Sequence, residues 1–126
     1  MSYRTDRQRA VGLGSAKEGT GHWWSQRITS IALVPLMLLF LFPFARNLGA
    51  DHATVLATYS NPFNAIVAIL FILVAFHHLQ QGLQVVIEDY VHEPALRTGS
   101  LLANTLLCYA VALAGVFAVA KIAFTA

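Results

Sequence analysis

The chain has 126 residues, 57% of them hydrophobic and only 11% charged, with a formal net charge of +2. Soluble domains run at about 45–50% apolar and about 25% charged, so lipid is the expected solvent, and three crossings of about 20 residues each would use most of the length. This leaves no room for a separate soluble domain. The few basic residues lack the aromatic interleaving of a nucleic-acid surface. The single cysteine, Cys108, excludes an internal disulfide or a cysteine-held cluster and is expected to be a small packing residue.

Residues 1–26 carry Arg4, Arg7 and Arg9 but no apolar stretch before Ile28, which is late for a secretory signal. Asp6 and Glu18 break the acid-free pattern of an organellar presequence, so an uncleaved cytoplasmic tail is expected. The charge-free run from Ile28 to Phe44 follows the interfacial pair Trp23 and Trp24 and predicts a first span over about 28–45. Pro35 and Pro43 predict a kink within it. Arg46 to Pro62, with Gly49, Asp51 and the Asn61-Pro62 turn signal, reads as a loop.

A second span is expected over about 63–88. It begins as purely apolar sequence and then acquires His77, His78, Gln80, Gln81 and Gln84, polar groups that at this depth must face protein or a cofactor. Glu88 to Arg97, with Pro94, reads as a second loop, and 101–124 supplies a third span. The fold class is therefore all-α: an integral membrane protein of three transmembrane helices in one anchor domain. Arg4, Arg7, Arg9, Lys17, Arg27 and Arg97 fall on one side and only Arg46 and Lys121 on the other. The excess puts the N-terminus in the cytoplasm and the C-terminus on the opposite side.

At 1.5 Å per residue, His78 lies ~18 Å along the axis from Tyr90. Burial in lipid disfavours imidazolium and leaves a neutral ring with a free lone pair, the form that ligates iron. Gly82, four residues on, shares its face and would let a flat porphyrin approach the backbone. One histidine in a membrane helix serves equally well as an interhelical hydrogen-bonding group, and both readings stand on position alone. His77, rotated about 100° away, is expected to bond a neighbouring helix and is the fallback ligand.

Asp89 and Tyr90 end the second run at the boundary. A phenol there can hydrogen-bond a quinone carbonyl, and an ionised Asp89 can hold an arginine or a water; interfacial anchoring explains the same pair. Arg27 can pair with a carboxylate such as a haem propionate, with His22 beside it, or serve as a flank charge. Gln81, Gln84 and Glu88, at offsets of 0, 3 and 7, form a polar stripe suited to other subunits.

The spaced set His78, Gly82, Asp89 and Tyr90 resembles the second-helix signature of the smaller hydrophobic anchor subunit of succinate dehydrogenase, respiratory complex II. There, a histidine is followed by glycine at plus four and Asp-Tyr at plus eleven and twelve. Arg27-Ile28-Thr29 at the first span and the three-helix length also look like that family. The resemblance implies that His78 is an axial ligand of haem b, the other coming from the larger cytochrome b anchor, and that Arg27 and His22 lie toward the haem. It implies that Tyr90 hydrogen-bonds ubiquinone, with Asp89 supporting that site. Its implied partners are the flavoprotein, iron-sulfur and larger anchor subunits, with membrane lipid around them. Electrons from succinate would then reach ubiquinone in the respiratory chain and tricarboxylic acid cycle. The chain itself would bind no succinate and be no enzyme alone.

The implied location is a bacterial inner membrane, with the mitochondrial inner membrane as the alternative. A fumarate reductase anchor is a neighbouring reading. A small channel or transporter subunit with a His/Gln polar path is the reading from another class.

Overall fold

A computed structural model of the chain describes residues 3–12, 14, 17 and 19–125. Glu18, used above against a presequence, lies outside them. Among the described residues five helices follow in chain order: α1 (Asp6–Val11), α2 (Thr20–Arg46), α3 (His52–Ser60), α4 (Pro62–Tyr90) and α5 (Pro94–Thr125). The described residues contain no strand. Helices α2, α4 and α5 are each long and apolar enough to cross a membrane. With 29 residues, α4 is ~43 Å long, more than the ~30 Å of hydrocarbon, so its ends project toward the headgroups.

Two stretches expected as loops are shorter than the sequence implied. Between Arg46 and Pro62 lies α3, begun by Asp51, whose carboxylate accepts the Thr54 N–H at 2.9 Å. Hydrogen bonds from the Thr54 side chain and backbone hold the Asp51 carboxyl below the usual carboxylate range. Asn61 then caps α4, its side chain accepting from the N–H groups of Phe63 and Asn64 while Pro62 sits in the first turn, where a missing N–H costs nothing. Thr58 donates to Asn47 at 3.1 Å and Asn64 to the Thr58 carbonyl at 3.0 Å, so α3 is tied to the end of α2 and the start of α4.

The expected second loop from Glu88 to Arg97 contracts to Val91, His92 and Glu93, because α4 continues to Tyr90 and α5 opens at Pro94. The Glu93 carboxylate accepts the N–H groups of Ala95 and Leu96, satisfying donors that the first turn leaves free. Helix α2 also begins earlier than expected, so Trp23 and Trp24 ride on it, edge to face at 5.0 Å.

Helix α4 is the centre, with α2 and α5 both packed against it. Both packings are antiparallel. Along α4 and α5, Gln80 meets Asn104 and Thr105, His77 meets Tyr109, and Ile72 meets Gly115. Against α2, His77 meets Ser25 and Phe71 stacks on Phe40 with centroids 4.5 Å apart. Lipid tails are as apolar as leucine, so close packing and hydrogen bonds rather than burial from water drive these contacts. The buried residues are accordingly small or polar: Ala65, Val67, Ala68 and Gln81 on α4, and Asn104, Cys108 and Ala112 on α5. Cys108 is a packing residue whose thiol donates to Asn104 Oδ1. Large apolar side chains such as Ile31, Phe42, Leu106 and Phe117 stay exposed, as surfaces for lipid or partner subunits.

Gly115 marks a close approach of α5 to α4. A Cβ there would stand 3.3 Å from Ile72 Cδ1 and 3.4 Å from Cγ2. Gly115→Leu is therefore expected to push the helices apart, at a cost of about 1–3 kcal/mol, and to lower the thermal unfolding temperature of the detergent-solubilised assembly. An unchanged melting temperature would show that α5 does not pack there.

Candidate functional site

The histidines and glutamines of α4 sit roughly two to four turns from its C-terminal end, and the two histidines meet polar side chains at the start of α2. On α2, His22, Ser25, Gln26 and Thr29 recur at helical spacing and share the face turned to α4. His77 spans the bundle: its Nε2 is hydrogen-bonded to the Ser25 hydroxyl at 3.1 Å and its Nδ1 to the Tyr109 hydroxyl at 3.2 Å. It thus has the bonds to neighbouring helices expected of it. A neutral ring supplies one donor and one acceptor, enough for both.

His78 faces α2 alone. Its Nδ1 lies 2.9 Å from Thr29 Oγ1 and its Nε2 lies 3.3 Å from the Gln26 amide nitrogen. Gly82 is one turn along, and a Cβ built there would meet the same Gln26 nitrogen at 3.7 Å. Only the far end of a flexible side chain therefore stands between the imidazole Nε2 and the glycine. Three buried polar atoms in this region have no hydrogen-bond partner among the described residues: His22 Nε2, Gln26 Oε1 and Gln81 Oε1. An unsatisfied buried polar atom costs about 1–3 kcal/mol, so their clustering singles out the α2–α4 seam as the place where a further polar group would be accepted.

The remaining residues singled out from the sequence lie apart from this seam. Arg27 is on the adjacent, exposed face of α2, its guanidinium 5.4 Å from the centre of the Trp23 ring. Among the described residues, no hydrogen bond or ion pair joins it to His22 or His78. Tyr90, 78% exposed, is the last residue of α4, and Asp89 beside it is exposed as well. Neither side chain has a partner among the described residues. Of the polar stripe, Gln81 is buried at 6% exposure while Gln84 donates to Glu88 at 3.0 Å on the surface.

Gln80 Nε2 reaches Thr105 Oγ1 at 3.3 Å and Asn104 Nδ2 donates to the Gln80 carbonyl at 2.9 Å, which commits Gln80 to holding α5. Sequence reasoning missed Ser25, Gln26 and Tyr109 and gave Thr29 no role. The polar pattern at the start of α2 was visible, but which α4 residues it would meet was not.

Chemically, the seam offers one imidazole lone pair beside a glycine, about 18 Å from a boundary phenol. Among the described residues no three His, Cys, Asp or Glu side chains converge on a metal-sized site. The other ligands of a metal at His78 would therefore come from outside the described residues of this chain.

No solved structure matches the chain. The hydrophobic membrane anchor subunit of succinate dehydrogenase from Paracoccus denitrificans is 36% identical over 121 residues, covering 96% of this chain and 93% of its own. The corresponding subunit from Rickettsia bellii is 35% identical over 104 residues, 82% of this chain and 83% of its own. The succinate dehydrogenase membrane anchor subunit of Reclinomonas americana is 36% identical over 88 residues, 68% and 73%. The model of the succinate dehydrogenase/fumarate reductase transmembrane subunits matches residues 1–117, and with three membrane-length helices and relatives of this kind, the chain belongs to that family.

Proposed function

We propose that this chain is the smaller membrane anchor of a succinate:ubiquinone oxidoreductase in a bacterial inner membrane. It would lie with its N-terminus in the cytoplasm beside a flavoprotein, an iron-sulfur subunit and a larger cytochrome b anchor. In this reading it supplies one axial ligand to a shared haem b and part of the ubiquinone-reduction site. The observation that carries it is the α2–α4 seam. His78 keeps an Nε2 lone pair opposed only by a mobile amide, Gly82 leaves the adjoining backbone approachable, and three unsatisfied buried polar atoms lie around them.

This donor set suits a porphyrin, which brings four nitrogens of its own and needs from each flank one neutral imidazole. His78 would hold the iron at Nε2, and Gln26 would swing aside. The haem, when bound, would supply a one-electron relay. His22, on the same face of α2, is placed to receive a polar group of the macrocycle. Arg27 would reach a propionate by leaving the Trp23 ring, a contact worth about 0.5–1 kcal/mol at an exposed site.

Tyr90 would donate its hydroxyl proton into a hydrogen bond with a quinone carbonyl, favouring the negative charge that gathers there on reduction. Asp89, one residue before it, would hold a partner's arginine or a water that carries protons toward the reduced quinone. Their exposure and their lack of partners among the described residues are what a site completed by other subunits requires.

The names of the relatives favour succinate oxidation over fumarate reduction. A channel built on the His/Gln path is not favoured: His77, Gln80 and Asn104 are spent on hydrogen bonds between helices.

Tagging the chain, solubilising it gently and isolating what accompanies it tests the proposal. Covalent flavin and a reduced-minus-oxidised cytochrome b spectrum are expected in the eluate. A colourless preparation that conducts ions after reconstitution would replace this reading with the channel.

A further inference from the structure

Thr29 occupies a position that fixes more than packing. Its hydroxyl lies 2.9 Å from the Ser25 carbonyl, 3.0 Å from the Gln26 carbonyl and 2.9 Å from His78 Nδ1. A threonine has one hydroxyl proton and two lone pairs. Within a helix that proton goes to the carbonyl three or four residues back, which here leaves the oxygen as an acceptor toward the ring. His78 Nδ1 must then be the nitrogen that carries hydrogen, and the lone pair stays on Nε2. The opposite tautomer would require the hydroxyl proton to leave both carbonyls.

We propose that Thr29 is the positioning residue of the His78 imidazole: its hydroxyl accepts the Nδ1 proton, blocks that nitrogen as a metal ligand and presents Nε2 to the iron. This deepens the haem-ligand reading above and rests on it. A metal-bound histidine generally donates its other ring N–H to an acceptor that sets its orientation and raises its basicity. In many such sites the acceptor is a carboxylate or a backbone carbonyl. In this seam it is an alcohol whose own proton is engaged, 49 residues away on a different helix. The start of α2 thereby tunes a ligand carried by α4.

Losing the acceptor makes imidazole a weaker electron donor and so favours the reduced iron. The test uses the assembled complex in its membrane or in detergent. Thr29→Val, nearly isosteric but without a hydroxyl, is expected to raise the haem midpoint potential, so that the oxidised-to-reduced ratio at a fixed ambient potential falls severalfold. It should also weaken haem retention by about 10-fold. Thr29→Ser, which keeps the hydroxyl, is expected to restore both. In the unmodified complex with ¹⁵N-labelled histidine, the remote ring nitrogen should carry an exchangeable proton when the oxidised haem is read by electron-nuclear double resonance. That measurement stands even if the valine variant fails to assemble.

Equal potentials for Thr29→Val and the native complex would overturn the proposal, as would a serine variant shifted as far as the valine one. His78→Ala separates this failure from that of the underlying reading. If it leaves the haem spectrum intact, His78 is not the ligand; if it removes the spectrum while Thr29→Val changes nothing, only the role of Thr29 falls.

Discussion

His78→Ala is expected to remove or strongly alter the cytochrome b spectrum of the purified complex while the chain remains in the membrane. The ring gives its Nε2 lone pair to the metal in the proposed arrangement, and alanine offers nothing in its place. The structural cost is small by comparison. The ring makes two hydrogen bonds, to Thr29 and to Gln26, each worth about 0.5–1.5 kcal/mol net, and the α4 residues hydrogen-bonded to α5 are His77 and Gln80, not His78. His77→Ala is the matched control. It cuts the bridge from Ser25 to Tyr109 and should loosen the assembly, yet leave the absorbance in place. The reverse outcome, with the spectrum lost in the His77 variant and kept in the His78 variant, would move the ligand to His77.

Much of the architecture was legible because lipid imposes strict rules on sequence. A run such as Ile28 to Phe44 with no charge has few fates other than a spanning helix, and 28–45, 63–88 and 101–124 all lie inside the helices observed. What was not legible is instructive. Helix α3 has nine residues and no residue type that demands a helix. The signals around it, Asp51 and Asn61-Pro62, read as turn residues from sequence, though each is a helix cap. A cap and a turn use the same side-chain chemistry, so composition alone does not separate them. The contraction of the second loop has the same origin, since Glu93-Pro94 opens a helix rather than interrupting a linker.

At the candidate site, spacing along one helix placed His78, Gly82, Asp89 and Tyr90 relative to one another. It could not supply the α2 residues that face them. Thr29 and Gln26 meet His78 only through the register in which α2 packs against α4, and that register depends on contacts such as Phe40 on Phe71 far along the seam. Helical periodicity says which side chains share a face. It does not say how far one helix slides along another.

Tyr90→Phe is expected to leave assembly and the haem spectrum unchanged and to lower quinone reduction by about 100-fold, the loss typical of removing one hydrogen-bond donor from a site of developing charge. The substitution deletes only the hydroxyl. The ring at the end of α4 is 78% exposed within the chain, so its boundary anchoring survives in phenylalanine, and any defect is assigned to the missing O–H. Two assays on the same membranes isolate the step: electron transfer from succinate to a soluble dye served by the flavin and iron-sulfur partners, and transfer to a ubiquinone analogue. The first should hold and the second collapse. Asp89→Asn should retain part of the quinone rate, because an amide can position a water but lacks the charge that holds an arginine. Full quinone turnover in Tyr90→Phe would place the phenol outside the site and leave it as an interfacial anchor, whatever becomes of His78.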